Sequence, residues 1–162
     1  MLSVATVQKH LHPAGDGAPI ELRSYLSQLC SSLAGCMIKD DSCTIGTNVS
    51  EGAVTSATAV SIGLIVTERV INALKHAFPE TKPGCAIVVS YEINGADWKL
   101  SVSDNGVGVS SGDWPPAKSG LGTAIVNALA AQLNAQVDTV SLPTGTIVSV
   151  ARATFKSLPE AA

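Results

Sequence analysis

The chain has 162 residues, 46% of them hydrophobic and 14% charged, with a formal net charge of -3. That length supports one sizeable core and is too short for two domains. Lys and Arg are scattered along an acidic chain, which argues against nucleic acid or another polyanion as the main partner and leaves room only for a small cluster that holds a phosphorylated ligand.

The longest apolar run, 57–66, is interrupted by Thr58, Ser61 and Gly63 and followed by Glu68 and Arg69, so it reads as a buried helix rather than a span. The start Met1-Leu2-Ser3-Val4 has neither the basic nor the apolar region of a signal peptide, and the expected location is the cytoplasm, with no membrane contact. Cys30, Cys36, Cys43 and Cys85 show no CxxC spacing and no neighbouring His. Reduced, mostly buried thiols are expected rather than a metal site or a disulfide framework.

In chain order, residues 1–18 contain Pro13, Gly15 and Gly17 and predict a short helical remnant followed by a loop, with His10 and His12 as ordinary exposed histidines. Pro19 suits a first helical turn. Leu22, Leu26, Leu29 and Leu33, with Tyr25 alongside, repeat at helical spacing until Gly35 offers a cap. Cys43, Ile45, Thr47 and Val49 alternate as a half-buried strand does. A long helix is predicted over 56–78, stopped by Pro79. Ile87, Val89, Tyr91 and Ile93 form the next strand, and Asn94-Gly95 favours a tight hairpin turn.

The returning strand places Trp98, Leu100, Val102 and Asp104 on one face. A carboxylate at the end of an apolar row is costly to bury without donors, so Asp104 wants a partner. Asn105-Gly106-Val107-Gly108 then lets the backbone turn sharply and lets another group come close. Residues 109–119, with Gly112, Pro115 and Pro116, have the length of an active-site lid and equally of a surface loop. Gly120-Leu121-Gly122-Thr123 opens a helix carrying Ile125, Val126, Leu129 and Leu133, and its free N–H groups suit an anion. A second hairpin, 137–142 and 146–154 around Pro143-Thr144-Gly145, closes the fold, and 157–162 reads as a frayed tail.

The long helix carries the chemistry. Glu68, Asn72 and His76 lie four apart along one edge with Lys75 beside them, next to an apolar stripe of Leu64, Thr67, Ile71, Leu74 and Phe78. A carboxylate, an amide, a cation and an imidazole on one edge suit the lining of a charged pocket; they also suit a solvated edge.

Three signals thus stand in fixed order: Glu-xxx-Asn-xx-Lys-His on a helix, Asp-x-Gly-x-Gly after a strand, and Gly-Leu-Gly opening a helix. Together they resemble the N, G1 and G2 boxes of the GHKL family of ATP-binding domains. The strings Thr67-Glu68-Arg69-Val70-Ile71-Asn72-Ala73-Leu74-Lys75-His76-Ala77-Phe78-Pro79 and Gly120-Leu121-Gly122-Thr123-Ala124-Ile125-Val126 are most similar to bacterial sensor histidine kinases. Within these they resemble the subfamily with a His-Arg-Val-Lys-Asn acceptor helix and a short lid.

The resemblance implies an α/β two-layer sandwich of the Bergerat type. It has a mixed, mainly antiparallel sheet of about five strands with three helices on one face, the ATP-binding unit being residues 19–156. It further implies ATP and Mg²⁺ as cofactors. Asp104 would accept a hydrogen bond from the adenine amine, with Gly106 and Gly108 shaping the turn. Asn72 would hold Mg²⁺, and Lys75, His76 and the segment Gly120, Leu121, Gly122 and Thr123 would meet the phosphates. Glu68 would orient or deprotonate the nucleophile, or serve only helix packing. The implied activity is protein-histidine kinase, the partner a histidine-bearing dimerisation domain in cis or in trans, with a response regulator served indirectly. No His-Arg-Val-Lys-Asn string occurs in the sequence, so the acceptor is expected elsewhere and the isolated chain is expected to be a monomer. Two alternatives remain: a serine kinase of the anti-sigma-factor type, and a non-catalytic docking scaffold.

Overall fold

A computed structural model describes residues 18–39, 42–78, 84–107 and 121–152. His10, His12, Pro79, Gly108, Gly120, the expected lid 109–119, the tail 157–162 and most of the expected N-terminal remnant lie outside them.

The first helix, α1 (Leu22–Met37), begins three residues after Pro19, because Ile20–Glu21 is spent as a short strand, β1, on Ala53–Val54, β3. Glu21 then caps α1, its carboxylate accepting from the N–H groups of Arg23 at 3.2 Å and Ser24 at 2.8 Å. Its bond to Ser24 in particular holds that carboxyl below the usual range. Gly35 does not end the helix. The chain continues helically to Met37, and Ile38 N–H closes the last turn on Ala34 O.

Strand β2 (Cys43–Val49) forms where the alternation predicts it, with Cys43, Ile45 and Val49 covered but Thr47 exposed. Helix α2 (Ser56–Asn72), capped by Thr55, continues into a π turn over Ala73–Ala77. Strands β4 (Cys85–Asn94) and β5 (Asp97–Asp104) form a hairpin over Gly95-Ala96, Gly95 adopting φ 64°. Helix α3 (Leu121–Gln132) is followed by a turn at Asn134, whose φ of 53° leads the chain into β6 (Ala135–Leu142). Strand β7 (Gly145–Arg152) returns beside it.

The five-stranded sheet has the order β2-β4-β5-β7-β6, with β2 and β4 parallel and the other neighbours antiparallel. This is the expected mixed sheet with three helices; the small β1–β3 ladder is an addition to it. Period two puts Ile87, Val89, Tyr91, Leu100, Val102 and Val150 on the inner face, where they pack with Leu22, Leu26 and Leu29 of α1 and Ile62, Val66 and Val70 of α2.

By length and composition alone, Ser56–Ala77 would suffice to cross a membrane. Here it is the core helix. Its buried line is Ala59, Ile62, Val66, Val70 and Ala73, together with Ile65 and Thr67, while Leu64, Ile71, Leu74 and Phe78 are only partly covered. The stripe therefore sits one step round from its expected position, because α2 is flanked on two sides. Tyr25 of α1 lies against Gly63, and α3 lies against Glu68. Thr67 tolerates burial because its hydroxyl donates to Gly63 O at 2.7 Å.

The cysteines depart from expectation. Cys43 and Cys85 form a disulfide, Cα to Cα 4.4 Å, because parallel pairing sets the first residues of β2 and β4 opposite each other. A separation of 42 residues hides that neighbourhood in the sequence. Cys30 and Cys36 are free thiols, the first buried and the second exposed. Burial pushes the Cys30 thiol up to about 12.

The Tyr25 hydroxyl is buried with no hydrogen-bond partner among the described residues, and burial raises its phenol above the ordinary range. Gly63 leaves room for that hydroxyl: a Cβ there would strike Oη and come within 3.0 Å of Cζ. In chemical denaturation Gly63→Ala is expected to cost about 1–3 kcal/mol by overpacking. Adding Tyr25→Phe should recover part of the loss, since it removes the atom that clashes and leaves no donor unpaired.

Candidate functional site

The three boxes converge at the C-terminal end of α2. Gly106 packs on the backbone of Ala77: a Cβ there would strike the Ala77 carbonyl and come within 2.6 Å of the Ala77 Cβ. Val107 N–H donates to Ala77 O at 3.0 Å, fastening the turn after β5 to the π turn of α2. On the other side, a Cβ on Gly122, in the first turn of α3, would come within 2.5 Å of Glu68 Oε2. One helix end thus meets both glycine segments, through backbone at Gly106, which therefore needs glycine, and through the end of a side chain at Gly122.

Asp104 sits half-buried at the end of β5, opposite Ile87 on one side and Thr146 on the other. Its Oδ1 accepts from Gly106 N–H at 2.9 Å and Thr146 N–H at 3.3 Å. The donors that a carboxylate in this position requires come from its own turn and from β7. Both bonds fall on Oδ1, and among the described residues no donor meets the second oxygen. Gly145, with φ 144°, brings β7 against the Asp104 carbonyl and leaves no room for a Cβ.

Asn105 fixes the other flank. Its side chain accepts from Ala86 N–H at 2.8 Å and donates to Gly84 O at 2.8 Å, while its own N–H donates to Ala86 O at 3.2 Å. The turn that presents Asp104 is therefore held from β4, β7 and α2 together.

Glu68 and Asn72 are half-buried on α2, and Lys75 and His76 are exposed on the π turn. A π turn bonds each residue to the fifth along rather than the fourth, so the rotation per residue beyond Asn72 differs from that of the α-helix before it. Arg69 packs inward, its Nε buried without a partner among the described residues, and desolvation lowers its pKa although the Glu68 charge opposes the shift. Thr123 follows Gly122 in the first turn of α3 and is half-buried. Thr146 and Asn105 escaped the sequence reading. Thr146 acts through its backbone from 42 residues away, and Asn105 reads only as a turn residue until β4 is seen beside it.

A profile of the Histidine kinase-, DNA gyrase B-, and HSP90-like ATPase family matches residues 57–157. The chain belongs to this family. Blue-light-activated histidine kinase 2 of Erythrobacter litoralis is 37% identical over 94 residues, covering 57% of this chain and 27% of that protein. This chain thus spans about a quarter of the length of that curated relative.

The histidine kinase domain of Erythrobacter litoralis EL346 superposes with a TM-score of 0.80 at 25% identity, covering 93% of this chain and 78% of that one. Acinetobacter baumannii histidine kinase AdeS shares the fold, with a TM-score of 0.66 at 14% identity over 93% of this chain and 73% of its own. The chain therefore carries an ATPase domain of the histidine-kinase type, and such a domain binds ATP.

The two glycine contacts are expected to respond differently to a methyl group. Gly106→Ala must move backbone, and should lose about 1–3 kcal/mol together with the exchange protection of the Val107 amide. Gly122→Ala meets only the far end of the Glu68 side chain, and should change stability by about 0.5 kcal/mol or less. Denaturation with amide exchange checks both.

Proposed function

We propose that this domain, residues 19–156, binds Mg-ATP and donates its γ-phosphoryl group to a histidine nitrogen on a dimerisation hairpin carried elsewhere. That hairpin would lie in a longer protein or in a second chain, with a response regulator served downstream. The observation that carries the reading is the Asp104 carboxylate, held through Oδ1 by Gly106 and Thr146 beside the helix end where all three boxes meet. Its second oxygen, which meets no donor among the described residues, suits the exocyclic amine of adenine, which donates, and rejects a guanine carbonyl, which cannot.

The phosphates would extend from there toward the first turn of α3. Backbone N–H groups of the segment Gly120, Leu121, Gly122 and Thr123 would cradle them, with Lys75 and His76 contributing from the π turn and Gly108 completing the glycine turn. The Asn72 amide oxygen suits Mg²⁺, a hard cation that takes oxygen ligands and keeps several waters. When bound, the ion would neutralise phosphate charge. Glu68, whose carboxylate lies against Gly122, would stand at the phosphate end and there orient the incoming imidazole and take up its proton.

Transfer forms the N–P bond to the acceptor, breaks the bond from the γ-phosphorus to the bridging oxygen and leaves ADP. The rate enhancement would come from positioning and charge neutralisation. ShkA, solved at full length in complex with AMPPNP, shares the fold, with a TM-score of 0.64 at 19% identity over 93% of this chain and 35% of its own. A cytoplasmic location fits a consumer of ATP.

Calorimetric titration with a non-hydrolysable ATP analogue, with and without Mg²⁺ and with GTP as control, tests the reading. Asp104→Asn should weaken ATP by about tenfold or more. Its amide oxygen can keep the bonds from Gly106 and Thr146, but its NH₂ then faces the adenine amine, donor against donor. Unchanged affinity sinks the adenine assignment. Asn72→Ala should abolish the gain in affinity from Mg²⁺; a variant that still responds to the metal removes Asn72 from the metal site.

A further inference from the structure

We propose that Cys43 and Cys85 form a reversible thiol–disulfide site whose oxidation state sets how firmly the Asp104–Asn105–Gly106 turn is held. The effect on nucleotide affinity rests on the function proposed above; the effect on the turn does not.

Position carries the inference. Cys43 opens β2 and Cys85 opens β4, and the two are opposite in the parallel register. Strand β2 lies at the sheet edge, with β4 as its neighbour in the sheet, so the bond closes the end of the ladder that would otherwise fray first. Cys85 lies between Gly84 and Ala86, and these are the residues that hold Asn105 through three hydrogen bonds, at 2.8, 2.8 and 3.2 Å. Asn105 directly follows the carboxylate proposed to read adenine. A crosslink at Cys85 therefore pins the backbone segment on which Asn105 hangs. Without it, that segment is held only by Asn105 itself and by the noncovalent pairing of β4 with β2.

Access follows the same geometry. Cys85 is 7% exposed whereas Cys43 is half-buried, so Cys43 is the sulfur that a small reagent reaches. The Cys43 thiolate attacks a low-molecular-weight disulfide, forming a mixed disulfide and expelling one thiolate. The Cys85 thiolate then attacks the Cys43 sulfur, forming the protein disulfide and expelling the second. Two protein thiols lose two electrons and two protons, and the reagent gains them as two thiols. A dithiol reverses the sequence. In the reducing compartment proposed for this domain, disulfides that do occur are characteristically transient or redox-sensing, which suits a switch better than a permanent brace.

The test uses the full chain equilibrated with oxidised glutathione or with dithiothreitol. Differential alkylation and peptide mass spectrometry read Cys43 and Cys85, with Cys30 and Cys36 as internal controls. Amide exchange reads Ala86, Asn105 and Gly106, and titration with an ATP analogue reads affinity. The oxidised form is expected to protect those three amides more strongly and to bind about fivefold more tightly. Cys43→Ser should behave as the reduced protein under both conditions, and Cys85→Ser provides a second such variant. Thiols at Cys43 and Cys85 that stay free in excess oxidised glutathione, or amide exchange identical in the two forms, overturns the proposal. If exchange differs while neither form binds nucleotide, the switch stands and the ATP reading falls.

Discussion

A carboxylate at the end of an apolar strand is stable only if donors meet it, and around Asp104 those donors come from backbone that the rest of the fold must deliver. Gly106 N–H arrives because the chain turns back at once after β5, and Thr146 N–H arrives because β7 pairs with β5 in a register set by the close approach of Gly145. The turn in turn needs the end of α2, since Val107 bonds to Ala77, and it needs β4, since Asn105 bonds to Gly84 and Ala86. Each bond alone is worth on the order of 1 kcal/mol. Their importance lies in convergence, because one charged oxygen obliges several elements to meet at one place.

The same convergence explains the glycines. Gly106 and Gly122 both lie where a side chain would intrude on the end of α2, one against backbone and the other against the Glu68 carboxylate. Boxes that look like separate motifs in the sequence are two sides of one packing arrangement. The π turn at Ala73–Ala77 belongs to it as well, since Ala77 O is the atom that receives Val107.

Much of this was legible beforehand, and the reason is local periodicity. Alternation in β2, β4 and β5 placed Ile45, Val89 and Leu100 inward correctly, and the spacing of the three boxes pointed to the family. What stayed hidden depends on partners far along the chain. The pairing of Cys43 with Cys85 and of Asp104 with Thr146 follows from strand register, which no single segment encodes. The offset of the buried line on α2 arises because two helices flank it. The helix start at Leu22 rather than Pro19 reflects competition, since β1 needs an extended Ile20 and Glu21 is then free to cap.

The sheet order has a consequence for synthesis. Strand β5 is central, flanked by β4, which precedes it, and by β7, the last strand described. As the chain leaves the ribosome, β4 and β5 can pair early, but the Thr146 amide that completes the Asp104 acceptor set emerges 42 residues later. Until then the carboxylate lacks one donor and β5 has an open edge, a state prone to mispairing. The acceptor set of this carboxylate is therefore completed only in chains synthesised through the β6–β7 hairpin.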